Sequence, residues 1–361
     1  MAVVGGAGVW GQRYMRAYAD RADCRIVAMV DNAIDRRMAF AEHYNVESVY
    51  DDVEALFADQ VPDIVSVALP VSVSPGVVIK CARAGVPVVS CEKPIAASLA
   101  EADAILDACT ACGTQLGCST AYWESPHTMS TSRWLHAEQP FGALIAVSIA
   151  GGLPDEVSGG GCIQLAKLEL MTGMRVTWVE GWDLPPMAKY KWPEGMLPRE
   201  TDSPAYGRLG LSGGLVCEVP PPPEDPSVSP CHTSLLYEQG QVWLVPTQVP
   251  RMIYGSGAMA VPYYPRFFKT PSPVHVEPVV DQLVKTLETG EPIACDGAVM
   301  QRSLETAIAL KHSAHDGHRR IELPLADRSA RLIPQPYRLQ GGDAIGWENT
   351  HRGEPPKLED P

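Results

Sequence analysis

The run Gly6-Ala-Gly8-Val-Trp-Gly11 constrains this chain most, because it follows an apolar stretch of strand length over residues 2–5 and opens a helical pattern over residues 9–20. Between a strand and a helix, the first glycine of such a run permits a tight turn. The second lets the backbone approach a pyrophosphate, and the third lets the helix lie close on the strand. The start of the helix adds free N–H groups and the positive end of its dipole, an arrangement that receives anions. Asp31 ends the next strand, residues 25–31, twenty positions past Gly11. A carboxylate there reaches the adenosine ribose hydroxyls and repels a 2′-phosphate, so NAD is the expected cofactor, with NADP possible. Arg36 and Arg37, a turn further on, either soften that preference or form a solvated helix face.

The alternation continues: a second helix at 33–44, a short helix at Asp52–Asp59, a buried strand at Asp63–Leu69 and a helix at Pro75–Ala84. A strand at Val86–Cys91 and a helix at Leu99–Cys112 follow. Strands alternating with helices predict a doubly wound parallel sheet. After about residue 140 the texture changes to strand runs at Ala143–Ala150, Val176–Trp182, Gly207–Leu211, Leu215–Val219, Thr233–Tyr237 and Gln241–Val245, joined by Ser-Gly-Gly and Glu-Gln-Gly turns. These predict a mostly antiparallel sheet. Late helices are expected at Val276–Glu288 and Ala298–His315. With 361 residues the chain exceeds one ordinary core. The expected fold is therefore an α/β Rossmann domain over 1–120, an α+β domain with a large, mostly antiparallel sheet over 121–325, and a tail over 326–361. That tail is rich in Pro, Gly and charge and is expected to wrap the surface or an oligomer partner.

Charge and cysteine usage narrow the partners. A formal net charge of −14 opposes a phosphate backbone or an anionic membrane, which leaves a small molecule as the expected partner. No basic leader or long apolar stretch precedes the first strand, which predicts a cytoplasmic protein. The ten cysteines are scattered and several sit in apolar runs, so neither a disulfide framework nor a metal site is expected. Cys109 and Cys112 have the spacing of redox and zinc sites but lie in a helical segment without a second pair, which favours a structural reading.

Cys91-Glu-Lys93-Pro94 follows a buried strand directly, at the carboxyl edge where open α/β sheets hold ligands. A lysine there can hydrogen-bond a carbonyl or hydroxyl oxygen and stabilise charge as hydride moves. Val9, Trp10, Asn32, Leu69, Pro70, Glu92, Lys93 and Pro94 join Gly6, Gly8, Gly11 and Asp31 as expected cofactor contacts.

The Rossmann start, the Glu-Lys-Pro and the antiparallel second domain together resemble the Gfo/Idh/MocA family of oxidoreductases over residues 1 to about 325. The resemblance implies that Lys93 contacts substrate and nicotinamide, that Pro94 bends the chain so the lysine points into the cleft, and that the peptide between them is often cis. Family members usually carry a His-x-x-Asp proton relay at the start of a helix in the second domain. Here the stretch Ser158 to Gly173 places Ile163 and Ala166 there, or, shifted by one, Gln164 and Lys167, which become candidate substrate contacts. A further family histidine is also missing, with Ser74 near its place.

Tyr122-Trp-Glu-Ser-Pro-His127-Thr is similar to a stretch of thiazolinyl imine reductases, a branch that also lacks the relay pair but normally has His where Lys93 stands. Tyr122 and His127 are accordingly candidate proton donors, or else a core aromatic and a capping histidine. Tyr190, Lys191, Trp192, Tyr206, His232 and Tyr254 are weaker substrate candidates. The aromatic run Tyr263 to Phe268 is expected to meet the tail or a subunit partner.

Three functions compete. An NAD(P)-dependent reductase of a carbonyl or imine carbon comes first, because loss of the relay pair favours a reaction that needs one modest proton donor. A sugar or cyclitol dehydrogenase is the second, and a non-catalytic dinucleotide-binding sensor or regulator the third. A homodimer or homotetramer through the C-terminal-domain sheet is expected.

Overall fold

The computed structural model describes residues 1–118, 127–150, 152–153, 156–186, 195–223, 233–245, 249–269 and 276–358. Its N-terminal unit runs β1 (Ala2–Val4), α1 (Val9–Ala19), β2 (Ala28–Val30), α2 (Ile34–His43), β3 (Ser48–Tyr50), α3 (Val53–Asp59), β4 (Ile64–Val67), α4 (Ser74–Arg83), β5 (Val88–Cys91), α5 (Leu99–Cys112) and β6 (Gln115–Gly117). The six strands are parallel, in the order β3-β2-β1-β4-β5-β6. Helices cover both faces of this sheet, so β1, β2, β4 and β5 are buried throughout, which is why they read as unbroken apolar runs. The strand order reverses between β1 and β4, and a crevice for a ligand opens there beyond their carboxyl ends. Strands β3 and β6, three residues each, add to the expected set.

Local chemistry explains the boundaries. Asp52 caps α3 by accepting the Ala55 N–H at 2.8 Å. Ser98 and Glu101 close a capping box at the start of α5, and Gly113 ends that helix in the left-handed region. Cys109 and Cys112 both lie on α5, and burial pushes the Cys109 thiol up to about 11, far from the thiolate a redox pair needs.

The second unit contains α6 (Thr128–Glu138), β7 (Leu144–Ser148), α7 (Cys162–Thr172), β8 (Val176–Asp183), β9 (Ala205–Leu211), β10 (Val216–Val219), β11 (Thr233–Tyr237), β12 (Gly240–Leu244), β13 (Arg251–Tyr254) and β14 (Val261–Pro262). It continues with α8 (Glu277–Thr289), α9 (Gly297–His315) and β15 (Ile321–Glu322). Its nine strands follow the order β14-β13-β12-β11-β7-β10-β9-β8-β15. Among the described residues the pairing of β10 with β7 is parallel and the others are antiparallel. Helices α7 and α9 lie together over this sheet.

Packing does not follow the linear boundaries at 120 and 325. Val279, Val280 and Leu283 of α8 share a core cluster with Val3, Tyr14 and Met29, so this helix belongs by contact to the Rossmann sheet.

The tail departs further from expectation. Leu332 donates its N–H to Ala97 O at 2.9 Å, and Ile333 donates to Glu200 O at 2.7 Å, which threads the chain between the two units. The following α10 (Pro336–Gln340) and α11 (Gly342–Ile345) then cross the mouth of the crevice. Val71 and Ser72, just past β4, donate their N–H groups to Arg338 O and Leu339 O, both at 3.0 Å. The stretch from Gln335 to His351 therefore covers the crevice instead of wrapping the outer surface.

Candidate active site

The glycine turn is built by contact distances. Gly8 donates its N–H to Gly5 O at 3.0 Å, and a Cβ on Gly11 would lie 1.9 Å from the same oxygen. Only glycine permits this approach of helix to turn. The left-handed residue of the turn is Gly5, with φ +79°, one position before the first glycine of the run. Gly6 is constrained instead by the Met29 side chain, 2.8 Å from where its Cβ would be. Gly8 caps α1 without a side-chain acceptor, and the first turn of α1 carries no acid. The helix thus presents its positive end to an anion, and the turn fits a dinucleotide pyrophosphate.

Asp31 locks this turn to the end of β2. Its carboxylate accepts the Ala7 N–H at 3.0 Å and the Ala33 N–H at 2.9 Å. Burial pushes its carboxyl above the ordinary range, against the pull of those two donors. Arg37 does not form a solvated helix face. It is buried, donates to Asp31 O at 2.7 Å and pairs with Asp51.

A crevice of about 640 Å³ joins the expected residues. Gly8, Val9, Trp10, Asp31 and Asn32 line one part of it, and Leu69, Pro70, Glu92 and Lys93 another. Gly6, Gly11 and Pro94 are not among the lining residues. The Lys93–Pro94 peptide is cis. Lys93 Nζ stands 5.1 Å from the centroid of the Trp10 ring, a cation–π contact across the crevice. Glu92 is fixed by the Tyr14 hydroxyl, which donates to its Oε1 at 3.1 Å and also bonds Ser90 Oγ at 3.0 Å.

The start of α7, where the relay pair is expected, is occupied by a different network. A π turn over Val157–Gly161 precedes the helix. Asp202 accepts the N–H groups of Val157 at 2.9 Å and Ser158 at 3.0 Å, and the Ser158 hydroxyl at 2.6 Å. Burial, and then the Glu156 carboxylate, push the Asp202 carboxyl up to about 7. Glu156 accepts from Arg338 Nε at 3.0 Å, from Gln335 Nε2 at 3.0 Å and from the Gln335 N–H. Arg338, which lines the crevice, lies 2.9 Å from where a Cβ on Gly159 would stand, which places the turn before α7 beside the crevice. Gln164 and Lys167 are buried in α7 and are not among the residues lining the crevice.

Other sequence candidates are dispersed. Tyr122, Tyr190, Lys191, Trp192 and His232 lie outside the described residues. His127 caps α6 with φ +60°, and its ring packs 5.4 Å from Phe268 and 6.1 Å from Phe267, away from the crevice lining. Tyr263 stacks on Trp134 at 5.6 Å, so the run from Tyr263 to Phe268 meets α6 and not the tail. Tyr206 stacks on Trp182, and the Tyr254 hydroxyl donates to Gln239 at 2.7 Å. The Ser74 hydroxyl is spent on Leu69 O at 3.0 Å.

Sequence reasoning missed the tail's share of the lining: Gln335, Tyr337, Arg338, Asp343 and Trp347 close the crevice from outside. At the Asp31 end, Arg36 pairs with Asp343 and Lys80 with Glu54. Nothing in the tail's composition distinguishes these residues from surface chain.

Residues 1–120 match the Gfo/Idh/MocA oxidoreductase family model, described as an NAD-binding Rossmann fold. Over 111 residues the chain is 31% identical to a D-apiose dehydrogenase of Paraburkholderia graminis, a match that covers 31% of this chain and 29% of that protein. Among solved structures, an aldose-aldose oxidoreductase from Caulobacter crescentus, complexed with glycerol, superposes with a TM-score of 0.70 at 19% identity, covering 89% of this chain and 99% of that one. The WlbA dehydrogenase from Bordetella pertussis, in complex with NADH and UDP-GlcNAcA, gives 0.66 at 18% identity over 90% of this chain and 98% of that one. These superpositions show a shared two-part fold.

Proposed function

We propose that this chain, whose first 120 residues belong to the NAD-binding Rossmann fold of the Gfo/Idh/MocA oxidoreductase family, is an NAD-dependent oxidoreductase of a polar, polyhydroxylated small molecule. The observation that carries this reading is that Lys93 and the glycine turn line one crevice. Bound there, the nicotinamide supplies a hydride acceptor when oxidised and a donor when reduced. The chain supplies the rest. The start of α1 receives the pyrophosphate, and Asp31 faces the adenosine ribose. Lys93, held at the end of β5 against Trp10, offers an N–H donor to the carbonyl or hydroxyl oxygen of the substrate.

The likeness to a D-apiose dehydrogenase supports a sugar or cyclitol as substrate. The missing relay pair supports a second reading, reduction of a ketone or imine carbon. Neither Ile163 with Ala166 nor Gln164 with Lys167 supplies an imidazole and a carboxylate, and reduction needs only a proton donor such as Lys93 or Tyr122. The same proposal includes self-association through the nine-stranded sheet, where Leu236 of β11 is exposed opposite Ala146 of β7.

Titration of the protein with NADH, read by fluorescence, tests the first step. A screen of sugars, cyclitols, ketoses and cyclic imines, read by the nicotinamide absorbance, tests the second. Lys93→Ala is expected to keep NADH affinity while lowering turnover about a hundredfold or more. Unchanged turnover would remove Lys93 from the reaction. Binding without turnover across the whole panel would favour a sensor.

A further inference from the structure

We propose that Asp343, in the C-terminal segment, sets the coenzyme preference of the crevice by occupying Arg36, the cation that a 2′-phosphate requires. This rests on the dinucleotide reading above and adds which dinucleotide the site keeps, and by what means.

Arg36 sits in the first turn of α2, five positions past Asp31, where an arginine accommodates the 2′-phosphate of NADP in this type of fold. Its guanidinium is turned onto the tail instead. Nη1 donates to Asp343 Oδ1 at 3.0 Å and Nη2 donates to Oδ2 at 2.6 Å, a bidentate pair that spends the fork with which an arginine grips a phosphate. Trp347 holds Asp343 from the other side, donating Nε1–H to Oδ1 at 2.7 Å, and its ring lies 5.8 Å from the Arg36 guanidinium.

The surrounding charges point the same way. Asp31, Arg36 and Asp343 all line the crevice, and Arg36, five positions past Asp31, is bonded to Asp343, so the three groups share one corner. Two neighbouring cations, Arg37 and Lys80, are paired with Asp51 and Glu54. A doubly charged 2′-phosphate must break two charge-assisted bonds and then face Asp343 and Asp31. A ribose 2′-hydroxyl meets no such obstacle and finds carboxylate acceptors. The tail is also anchored elsewhere, through Val71, Ser72 and Glu156, and Asp343 is half exposed, so its substitution leaves the cover in place.

The test compares NADH and NADPH dissociation constants, by fluorescence titration, for the wild type, Asp343→Asn and Asp343→Asn with Arg36→Gln. The wild type is expected to favour NADH. Asp343→Asn is expected to shift the ratio toward NADPH by roughly tenfold, through tighter NADPH binding, and Arg36→Gln in the same chain is expected to abolish that gain. An unchanged ratio in Asp343→Asn, an equal loss of both coenzymes, or a gain that survives Arg36→Gln would each overturn the proposal. A wild type that binds neither coenzyme would instead overturn the dinucleotide reading itself, and this inference with it.

Discussion

Arg338 donates through Nε to Glu156 Oε2 at 3.0 Å, and this pair ties the cover of the crevice to the turn that opens α7. The contact is possible because Gly159 lies beneath it: a Cβ there would stand 2.9 Å from Arg338 Nε. Glu156 is almost fully buried and also binds Gln335, so the tail enters the second unit through a carboxylate before it reaches the Rossmann strands. Order in the tail and order at the start of α7 are thus coupled through one residue.

Arg338→Met should release that coupling. It removes the cation beside two buried carboxylates, Glu156 and Asp202, and the expected cost is about 2–3 kcal/mol. That figure lies below the usual range for breaking a buried pair because 25% of the Arg338 side chain is exposed. Thermal unfolding measures the loss of stability. Hydrogen exchange at the Val71 and Ser72 amides, the donors to Arg338 O and Leu339 O, measures loosening of the cover. Unchanged exchange at both amides would show that the backbone pairing holds without the ion pair.

The glycines of the turn should differ sharply in tolerance. Gly11→Ala places a Cβ 1.9 Å from Gly5 O, a backbone atom that cannot yield, so α1 must move off the turn. A loss of several kcal/mol and of NADH binding is expected. Gly6→Ala meets only the Met29 side chain at 2.8 Å, which can change rotamer, and should cost about 1–2 kcal/mol. Equal damage from both substitutions, in unfolding and in titration, would contradict the assignment of the close approach to Gly11.

The contrast between these glycines and the tail shows what the sequence makes legible. The Rossmann unit reads plainly because its strands are buried on both faces and its glycines serve contacts a few residues away. Lys93 is found for the same local reason, since it follows a buried strand directly. Strands β3 and β6 escape notice because neither is buried throughout, β3 being half-buried and β6 exposed at Gln115, so neither stands out as an apolar run. Asp343 and Arg36 lie 307 positions apart, and nothing in either residue names the other. His127 has the chemistry of a proton donor, and only the fold reveals that its ring packs against Phe267 and Phe268. The relay pair's absence from α7 is visible in the sequence. The buried acids that stand nearby, Glu156 and Asp202, are not, because their burial is a tertiary fact.

Tyr14 should act on turnover through Glu92. The Tyr14 hydroxyl, fully buried and pushed well above the ordinary tyrosine range by burial, stays protonated and donates to the carboxylate that precedes Lys93. Tyr14→Phe removes one donor from a buried charged acceptor, and a stability cost of about 1–3 kcal/mol is expected. Because Lys93 is the next residue, turnover should fall while NADH affinity holds. A parallel fall in both would place Tyr14 in the cofactor site instead of behind the lysine.

Asp202 should make stability depend on pH with a distinctive sign. Its carboxyl is pushed up to about 7 in the folded protein, against an ordinary value of 3.8, by burial and by the neighbouring Glu156. An acid whose folded pKa is raised binds its proton more tightly in the native chain than in the unfolded one. Between those two values the native chain keeps the proton while the unfolded chain has released it, so Asp202's contribution falls as pH rises across the window and levels off above it. Asp103 and Glu200, held low by Arg328 and Arg331, act in the opposite direction at acid pH, so the wild-type curve alone mixes the two effects. The difference between wild type and Asp202→Asn isolates the one carboxyl, since the amide cannot titrate. That difference, followed by denaturant unfolding from pH about 4 to about 8, should shift steadily in the variant's favour up to neutrality. Parallel curves would mean that Asp202 titrates alike in both states, and that the donors from Val157 and Ser158 offset its burial and the Glu156 charge.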